Sequence, residues 1–345
     1  MKRQSHGSIK HPVTSLFLVL IVSLHIQSSS SLGLRVASWN LLAQCYVRAS
    51  KYPHCDPNHL EWGHRKSLMV QRIIDVEADI FCLQEVQVDL WPDLYDSICQ
   101  ENDGYSGIIQ NVTKGHNVGN AMLIKKSCGF HVQRCESRSR ALIGVLTNDN
   151  NDRLYVCNVH LEAGEKQDDN LQRFYQLKSL FKRLTGQIQL DFQKKRKDQD
   201  DLGEVPIVMM GDFNMLRTNP LHTFLTQGRL QSPEQLKNLP AFRTIQLMDA
   251  YLECPSAQEN FMASDMDGES IDLEDAISDE RDIKMLQRTY ATGFVLDYIW
   301  FSQSMRVQKT LLLHPMTKNR VPQKWPSIDY PSDHLPVAAE FEWTT

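Results

Sequence analysis

Short apolar runs of period two and longer runs of helical period follow one another along the chain, and most short runs end on a polar side chain. Residues 34–43 (LRVASWNLLA) begin as a strand and break at Trp39 and Asn40. Residues 60–78 put Met69, Ile73 and Val76 on one face, with Arg65, Lys66 and Arg72 elsewhere, and predict a helix. Residues 80–86 (IFCLQEV) predict a buried strand carrying Gln84 and Glu85. A second helix is predicted over 89–100, where Trp91, Leu94, Tyr95 and Ile98 read as a plain core stripe. Short strands are predicted at 105–110, 121–126, 130–135 and 141–147, joined by Gly and Asn turns. Residues 153–161 (RLYVCNVHL) alternate up to Asn158 and His160, and 169–197 read as a long helix whose tail, KKRKDQDD, is a solvated charge run.

The run 205–215 (VPIVMMGDFNM) organises the rest. Its apolar part, 206–210, is too short for a helix and predicts a buried strand; Gly211 turns the backbone, and Asp212 and Asn214 emerge at a sheet edge. Such a pair aims at one point, where it holds a water, a metal or a phosphate oxygen; taken alone, the motif equally describes a strand end whose Asp caps the next helix. Pro220 opens a helix that ends near Gly228. Residues 294–301 (FVLDYIWF) predict a strand with Asp297 in its middle, 306–313 another, and the last stretch, 332–343 (SDHLPVAAEFEW), sets Asp333 and His334 just ahead of an alternating closing strand. No repeat of solenoid period occurs.

The chain has 345 residues, 41% hydrophobic and 23% charged, as an ordinary globular protein does. Its N-terminus differs from the rest. Lys2, Arg3 and Lys10 precede an apolar run at 13–26, small residues follow at 28–31, and no acidic residue occurs before Asp56. Residues 1–33 therefore read as a secretory signal peptide or an uncleaved signal anchor, which sends the protein to the secretory pathway, the extracellular space or a membrane; an organellar or cytoplasmic location is the alternative. A membrane is expected as a partner only if 13–26 remains as an anchor. Asn111-Val112-Thr113 is a glycosylation sequon that matters only on that route.

Without residues 1–35 the chain carries 33 basic against 42 acidic side chains. Residues 253–282 alone hold 11 acidic groups and one basic one, Arg281. That stretch predicts an insert without regular structure; its DMDGESIDLED core has Ala263 where a calcium loop needs its first ligand, so no calcium site is expected. The remainder is nearly balanced and lacks the positive field of a protein that coats nucleic acid, so a polyanionic substrate must be gripped locally. Eight cysteines would allow disulfides in a secreted chain, yet Cys82 and Cys157 fall inside apolar strands, and that question stays open. No CxxC pair occurs, so zinc is not expected.

Asn40, Glu85, His160, Asp212 with Asn214, and Asp333 with His334 thus stand at dispersed strand ends, with Asp297 inside a strand. A carboxylate at the end of a core strand, as Glu85 is, either clears into solvent or is paired or bound to a cation. Hard oxygen donors with imidazoles suit Mg²⁺, or Mn²⁺, better than zinc.

SWNLLA, LQEV, NVHL, GDFN, LDYIW and SDHLPV, in this order, resemble the endonuclease/exonuclease/phosphatase superfamily of metal-dependent phosphoesterases. LEWGHRK before LQEV, and LDYIWFS with YPSDHLPV, resemble in particular the branch of nocturnin, the Angel proteins and the Ccr-Not deadenylase catalytic subunit. The resemblance covers residues 34–343 apart from the acidic insert and the charge run, and makes 34–345 one catalytic domain. It implies an α/β fold, the four-layer αββα sandwich of DNase I-like proteins, in which two packed mixed or antiparallel sheets are flanked by helices.

By the same resemblance Glu85 is the principal metal ligand, Asn40 assists it, and Asp333 is a further ligand. Asp212 orients and deprotonates the attacking water, and Asn214 positions water and phosphate. His334, paired with Asp297, and His160 hydrogen-bond the phosphoryl oxygens. The implied activity is that of a Mg²⁺-dependent 3′–5′ exoribonuclease preferring poly(A), with RNA or a nucleotide phosphoester as substrate. The alternatives are a nocturnin-like NADP 2′-phosphatase, a secreted nuclease, a phosphatase of inositol or lipid phosphates, and a non-catalytic binding protein on the same fold. NVHLEAGE departs from the branch after the histidine, and no leucine-rich repeat is found, so a complex formed through such a repeat is not expected and a monomer is.

Overall fold

The structure, a computed structural model, describes residues 32–101, 104–192, 205–229, 244–254, 289–291, 293–312 and 324–343. The expectations for residues 1–31, for the charge run at 194–201 and for the acidic insert beyond Cys254 lie outside the described residues. In chain order the elements are β1 (Leu32–Asn40), α1 (Trp62–Val76), β2 (Ile80–Gln87), α2 (Trp91–Glu101), β3 (Tyr105–Ile109), β4 (Val118–Lys125), β5 (His131–Arg138), β6 (Ala141–Thr147) and β7 (Arg153–His160). There follow α3 (Gln167–Asp191), β8 (Ile207–Asp212), α4 (Pro220–Gln227), β9 (Met248–Asp249), α5 (Ala250–Glu253), β10 (Asp297–Phe301), β11 (Arg306–Leu312) and β12 (Val337–Trp343).

The strands form two six-stranded sheets, in the orders β11-β12-β1-β2-β4-β3 and β5-β6-β7-β8-β10-β9. Each has one parallel pair at its centre, β1 with β2 and β7 with β8, and antiparallel neighbours outside it. A parallel pair needs a crossover, and α1 and α3 supply the two. The expected sandwich of two packed sheets flanked by helices is therefore present.

Side-chain parity decides what faces what. In β7 and β8, Leu154, Val156, Val208 and Met210 join the core between the sheets, whereas Tyr155, Cys157, Val159, Ile207 and Met209 face α3 and α4 on the outside. The α3 stripe Phe174, Leu177, Phe181, Leu184 and Ile188 recurs at helical spacing and is buried there. On the first sheet, Met69, Ile73 and Val76 of α1 form the matching layer. Asn158, Asp212 and His160 continue the inward-facing parity to the ends of their strands.

Arg65 of α1, off the apolar stripe, is nevertheless fully buried, its guanidinium ringed by backbone carbonyls. One expectation is corrected. Asp297 is the first residue of β10 and not its middle, because residues 294–296 lie outside the strand and the pairing with β8 begins at Asp297. The two-residue β9 and four-residue α5 are too short for periodicity to show. All eight cysteines are free thiols. No helix among the described residues is long and apolar enough to cross a membrane.

Candidate active site

The site begins with a glycine. β7 and β8 pair in parallel with His160 opposite Asp212 and Val159 opposite Gly211. Gly211 has φ +148°, and a Cβ there would stand 1.8 Å from Val159 O, so only glycine lets the two strands close at this point. On the other side of β8, Asp297 is the register partner of Asp212 because β10 runs antiparallel and begins where β8 ends.

The first sheet contributes through an irregularity. β2 slips register against β4 between Leu83 and Val86, and Glu85 takes the left-handed φ of +52°. A bulge re-aims a side chain. Here it lets Gln84 and Glu85 both face the second sheet. Gln84 Nε2 donates to Ser38 Oγ at 3.0 Å and to Asn158 Oδ1 at 2.8 Å, while Asn158 Nδ2 donates across the sandwich to Leu83 O and Ala121 O at 2.9 and 2.7 Å. These buried amides staple the two sheets together beneath the site.

All eight residues expected from sequence come together. Asn40 Nδ2 donates to Asp212 Oδ2 at 3.0 Å and to Glu85 Oε1 at 3.3 Å, with its Oδ1 taking Leu42 N at 3.0 Å. Asn40 thus bridges two carboxylates from two sheets as a donor. Ala43 N donates to Glu85 Oε2, Asn214 N to Asp212 Oδ1, and Asn214 Nδ2 to Leu161 O. His334 Nδ1 lies 2.9 Å from Asp297 Oδ2. The Nε2 atoms of His334 and His160 each stand 3.7 Å from Asp212 Oδ2, and that of His160 is 3.9 Å from Glu85 Oε1. Both imidazoles therefore face the carboxylates across a gap longer than a hydrogen bond.

Burial and mutual charge set the protonation states. Burial pushes the Glu85 carboxyl up, and the negative charge of Asp333 pushes it further. Asp212 is likewise raised by burial, against the pull of His334. Burial alone would lower His334, but Asp297 and Asp212 reverse this and hold it up at about 10. His160 goes the other way, lowered by burial, with Asp212 offsetting only part. One imidazole is thus cationic and the other neutral at pH 7.

Several residues that hold the site were not anticipated. Tyr52 OH donates to Asp333 Oδ2 at 2.9 Å. Arg65 donates to Leu41 O, Leu42 O, Gln44 Oε1 and Pro331 O, tying the segment after Asn40 to the one before Asp333. The LEWGHRK resemblance contained Arg65 but said nothing of its burial. Thr289 Oγ1 accepts from Leu296 N and Asp297 N, and Tyr290 packs its ring 4.7 Å from that of His334. Nothing in the sequence marked Tyr52, Thr289 or Tyr290.

The site opens into a cleft of 1210 Å³. Tyr46, Leu216 and Phe294, three of the exposed large apolar side chains, line it. The donor set fits a hard divalent cation: Glu85, Asp212 and Asp333 crowd oxygen charge into a buried place, and the upward pKa of Glu85 is relieved by a positive ion. Asp212, Asp297 and His334 also form a compact group, with ligand atoms within 4.8 Å of one another. Within that group His334 is engaged with Asp297, Nδ1 to Oδ2 at 2.9 Å.

The profile of the Endonuclease/Exonuclease/phosphatase family matches residues 37–334. The chain belongs to this family. Enzymes of the family are hydrolases of phosphoesters that work with a divalent metal, and so is this one. Among curated relatives it is 25% identical to the Carbon catabolite repressor protein 4 homolog 4 of Arabidopsis thaliana, over 91% of this chain and 78% of that protein. It is 20% identical to the CCR4-Not complex 3′-5′-exoribonuclease subunit Ccr4 of Candida glabrata, over 89% of this chain but only 36% of that subunit's length. Among solved structures, ANGEL2, a 2′,3′-cyclic phosphatase, superposes with a TM-score of 0.62 at 20% identity, covering 91% of this chain and 97% of that one. The human Nocturnin catalytic domain does so at 0.54 and 21%, covering 90% and 94%. These are the relatives that the motifs of the sequence resemble, and the solved ones share its fold.

Proposed function

We propose that the chain is a Mg²⁺-dependent 3′–5′ exoribonuclease that prefers poly(A). The observation that carries this reading is the meeting of Glu85, Asp212 and His334 in one cleft lined by Tyr46, Leu216 and Phe294, apolar surfaces suited to nucleobases. Glu85 and Asp333 would hold the cation, with Asn40 fixing Glu85 against Asp212. When bound, the cation withdraws charge from the phosphate and makes water more acidic.

Asp212 accepts the proton of the attacking water. Its raised pKa brings it closer to the working pH than an ordinary aspartate, which is what a general base needs. Asn214 N fixes Asp212 Oδ1, and the Asn214 carboxamide, tied by Nδ2 to Leu161 O, positions water and phosphate with its oxygen. His334 and His160 donate from Nε2 to the phosphoryl oxygens, where charge grows as the water attacks; the 3.7 Å gaps to Asp212 are too long for hydrogen bonds and support this reading. Asp297 keeps His334 charged and turned.

The test is product analysis. Oligo(A) labelled at its 5′ end, incubated with the protein and Mg²⁺, should shorten stepwise from the 3′ end and release AMP, faster than oligo(C) or oligo(U). Inorganic phosphate from NADP without shortening of oligo(A) assigns a phosphatase instead. Residues 1–33 we read as a secretory signal or anchor, which the N-terminal sequence of the mature protein tests.

A further inference from the structure

Three cleft-lining side chains are permanent cations: Lys51, Arg173 and Lys324. Arg173 is engaged, with Nε on Glu162 O, Nη1 on Asn170 Oδ1 and Nη2 on Gly164 O. Lys51 and Lys324 are exposed, and neither has an ion-pair partner among the described residues. A chain whose body is nearly neutral thus presents, in the cleft that holds its reaction centre, two exposed ammonium groups without an ion-pair partner among the described residues.

Both stand on one wall. Lys51 lies in the loop after β1 and Lys324 in the segment before β12, and these strands are neighbours in the first sheet. His54 Nε2, 3.1 Å from Pro326 O, fastens the two segments to each other. Tyr52, adjacent to Lys51, donates to Asp333 and so fixes that loop to the reaction centre. The facing wall, built by segments after β7 and β8 and before β10, carries Leu216, Asn219 and Phe294 together with Glu165, a lining carboxylate that repels phosphate.

We propose that Lys51 and Lys324 form a second phosphate subsite, which takes the phosphate next to the scissile one, whether in an RNA chain or in the pyrophosphate of a dinucleotide. The subsite rests on the phosphoesterase reading of the main site and supplies the local grip that the charge balance demands. It also gives the cleft a direction: phosphates run along the first sheet's wall and apolar groups face Leu216 and Phe294.

The test compares the wild-type full chain with a Lys51→Ala/Lys324→Ala variant, and with Lys51→Arg/Lys324→Arg as rescue. Each KM for oligo(A) is divided by the same protein's KM for bis(p-nitrophenyl) phosphate, which has a single phosphorus. The double alanine variant should raise this ratio on the order of tenfold. The slope of log KM against log salt for oligo(A) should flatten by about 0.7, as expected for one lost single-strand phosphate contact. As inhibitors of bis(p-nitrophenyl) phosphate hydrolysis, pApA and NADP should each be compared with AMP. An advantage of pApA over AMP that the alanine variant loses and the arginine variant keeps points to the RNA chain; the same result confined to NADP points to a dinucleotide. Wild-type protein that leaves oligo(A) intact yet shows either advantage keeps the subsite and removes the exoribonuclease reading. An unchanged KM ratio and equal inhibition in wild type and alanine variant overturn the subsite.

Discussion

The His334 imidazole and the Asp297 carboxylate meet at 2.9 Å, Nδ1 to Oδ2, with both side chains buried. Asp297→Asn keeps the shape and removes the charge that holds His334 protonated. The expected result is a fall in kcat of about 10²–10⁴-fold, with KM less affected. The alkaline limb of the rate profile, set in the wild type near the His334 value of about 10, should move to lower pH.

The same pair makes stability depend on pH in a defined sense. The folded-state pKa of His334, about 10, is above its unfolded value of 6.5. Its contribution is therefore fully present below about pH 6.5 and is lost as pH rises through about 10. Melting temperatures recorded between pH 6 and 10 should decline across that window, and Asp297→Asn should flatten the decline. A pH-independent difference between the two proteins would exclude the linkage.

Asp212→Ala should abolish turnover and leave the fold intact. Asp212 is buried among other carboxylates, so deleting it removes repulsion together with its hydrogen bonds from Asn40 and Asn214. A loss of kcat of about 10³-fold or more, with a far-ultraviolet spectrum like that of the wild type, is expected. Activity near the wild-type level would take Asp212 out of the mechanism.

Binding of Mg²⁺ should stabilise the protein, because the cation offsets the burial and the neighbouring Asp333 charge that raise Glu85. In Glu85→Gln the gain in melting temperature on adding Mg²⁺ should vanish, and calorimetric affinity should weaken by at least about tenfold. An undiminished Mg²⁺ response in that variant would move the metal elsewhere.

Gly211→Ala places a methyl group 1.8 Å from Val159 O at a φ that side chains avoid. The strands must part to admit it. The expected loss is at least about 3 kcal/mol, seen as a melting temperature lower by roughly 6–12 °C or as insoluble protein.

What the sequence made legible was local. The limits of β6, the stripe of α1 and the presence of α3 follow from periodicity, and the endings of β7 and β8 follow from apolar runs that stop at polar residues. Pairing was not legible, because nothing in the composition of β1 or β2 says that they run parallel, or that β12 closes against β1. Asp297 was misplaced for the same reason: its run reads FVLDYIWF without a break, and only antiparallel contact with β8 decides where the strand begins. The burial of Arg65 was not legible either, because its four acceptors come from segments distant in sequence. The likeness of six short motifs to a known family assembled the site's members, but Tyr52 and Tyr290, outside those motifs, were invisible until the loops were folded.

The pairing of β1 with β12 has a temporal side. β1 leaves the ribosome early, whereas its partner follows Asp333 and His334 and is made last among the strands described. Until that late strand docks, the first sheet is open along β1 and the imidazolium has no fixed address. A chain still too short to include β12 thus has nothing against which to seat Asp333 and His334 beside β1.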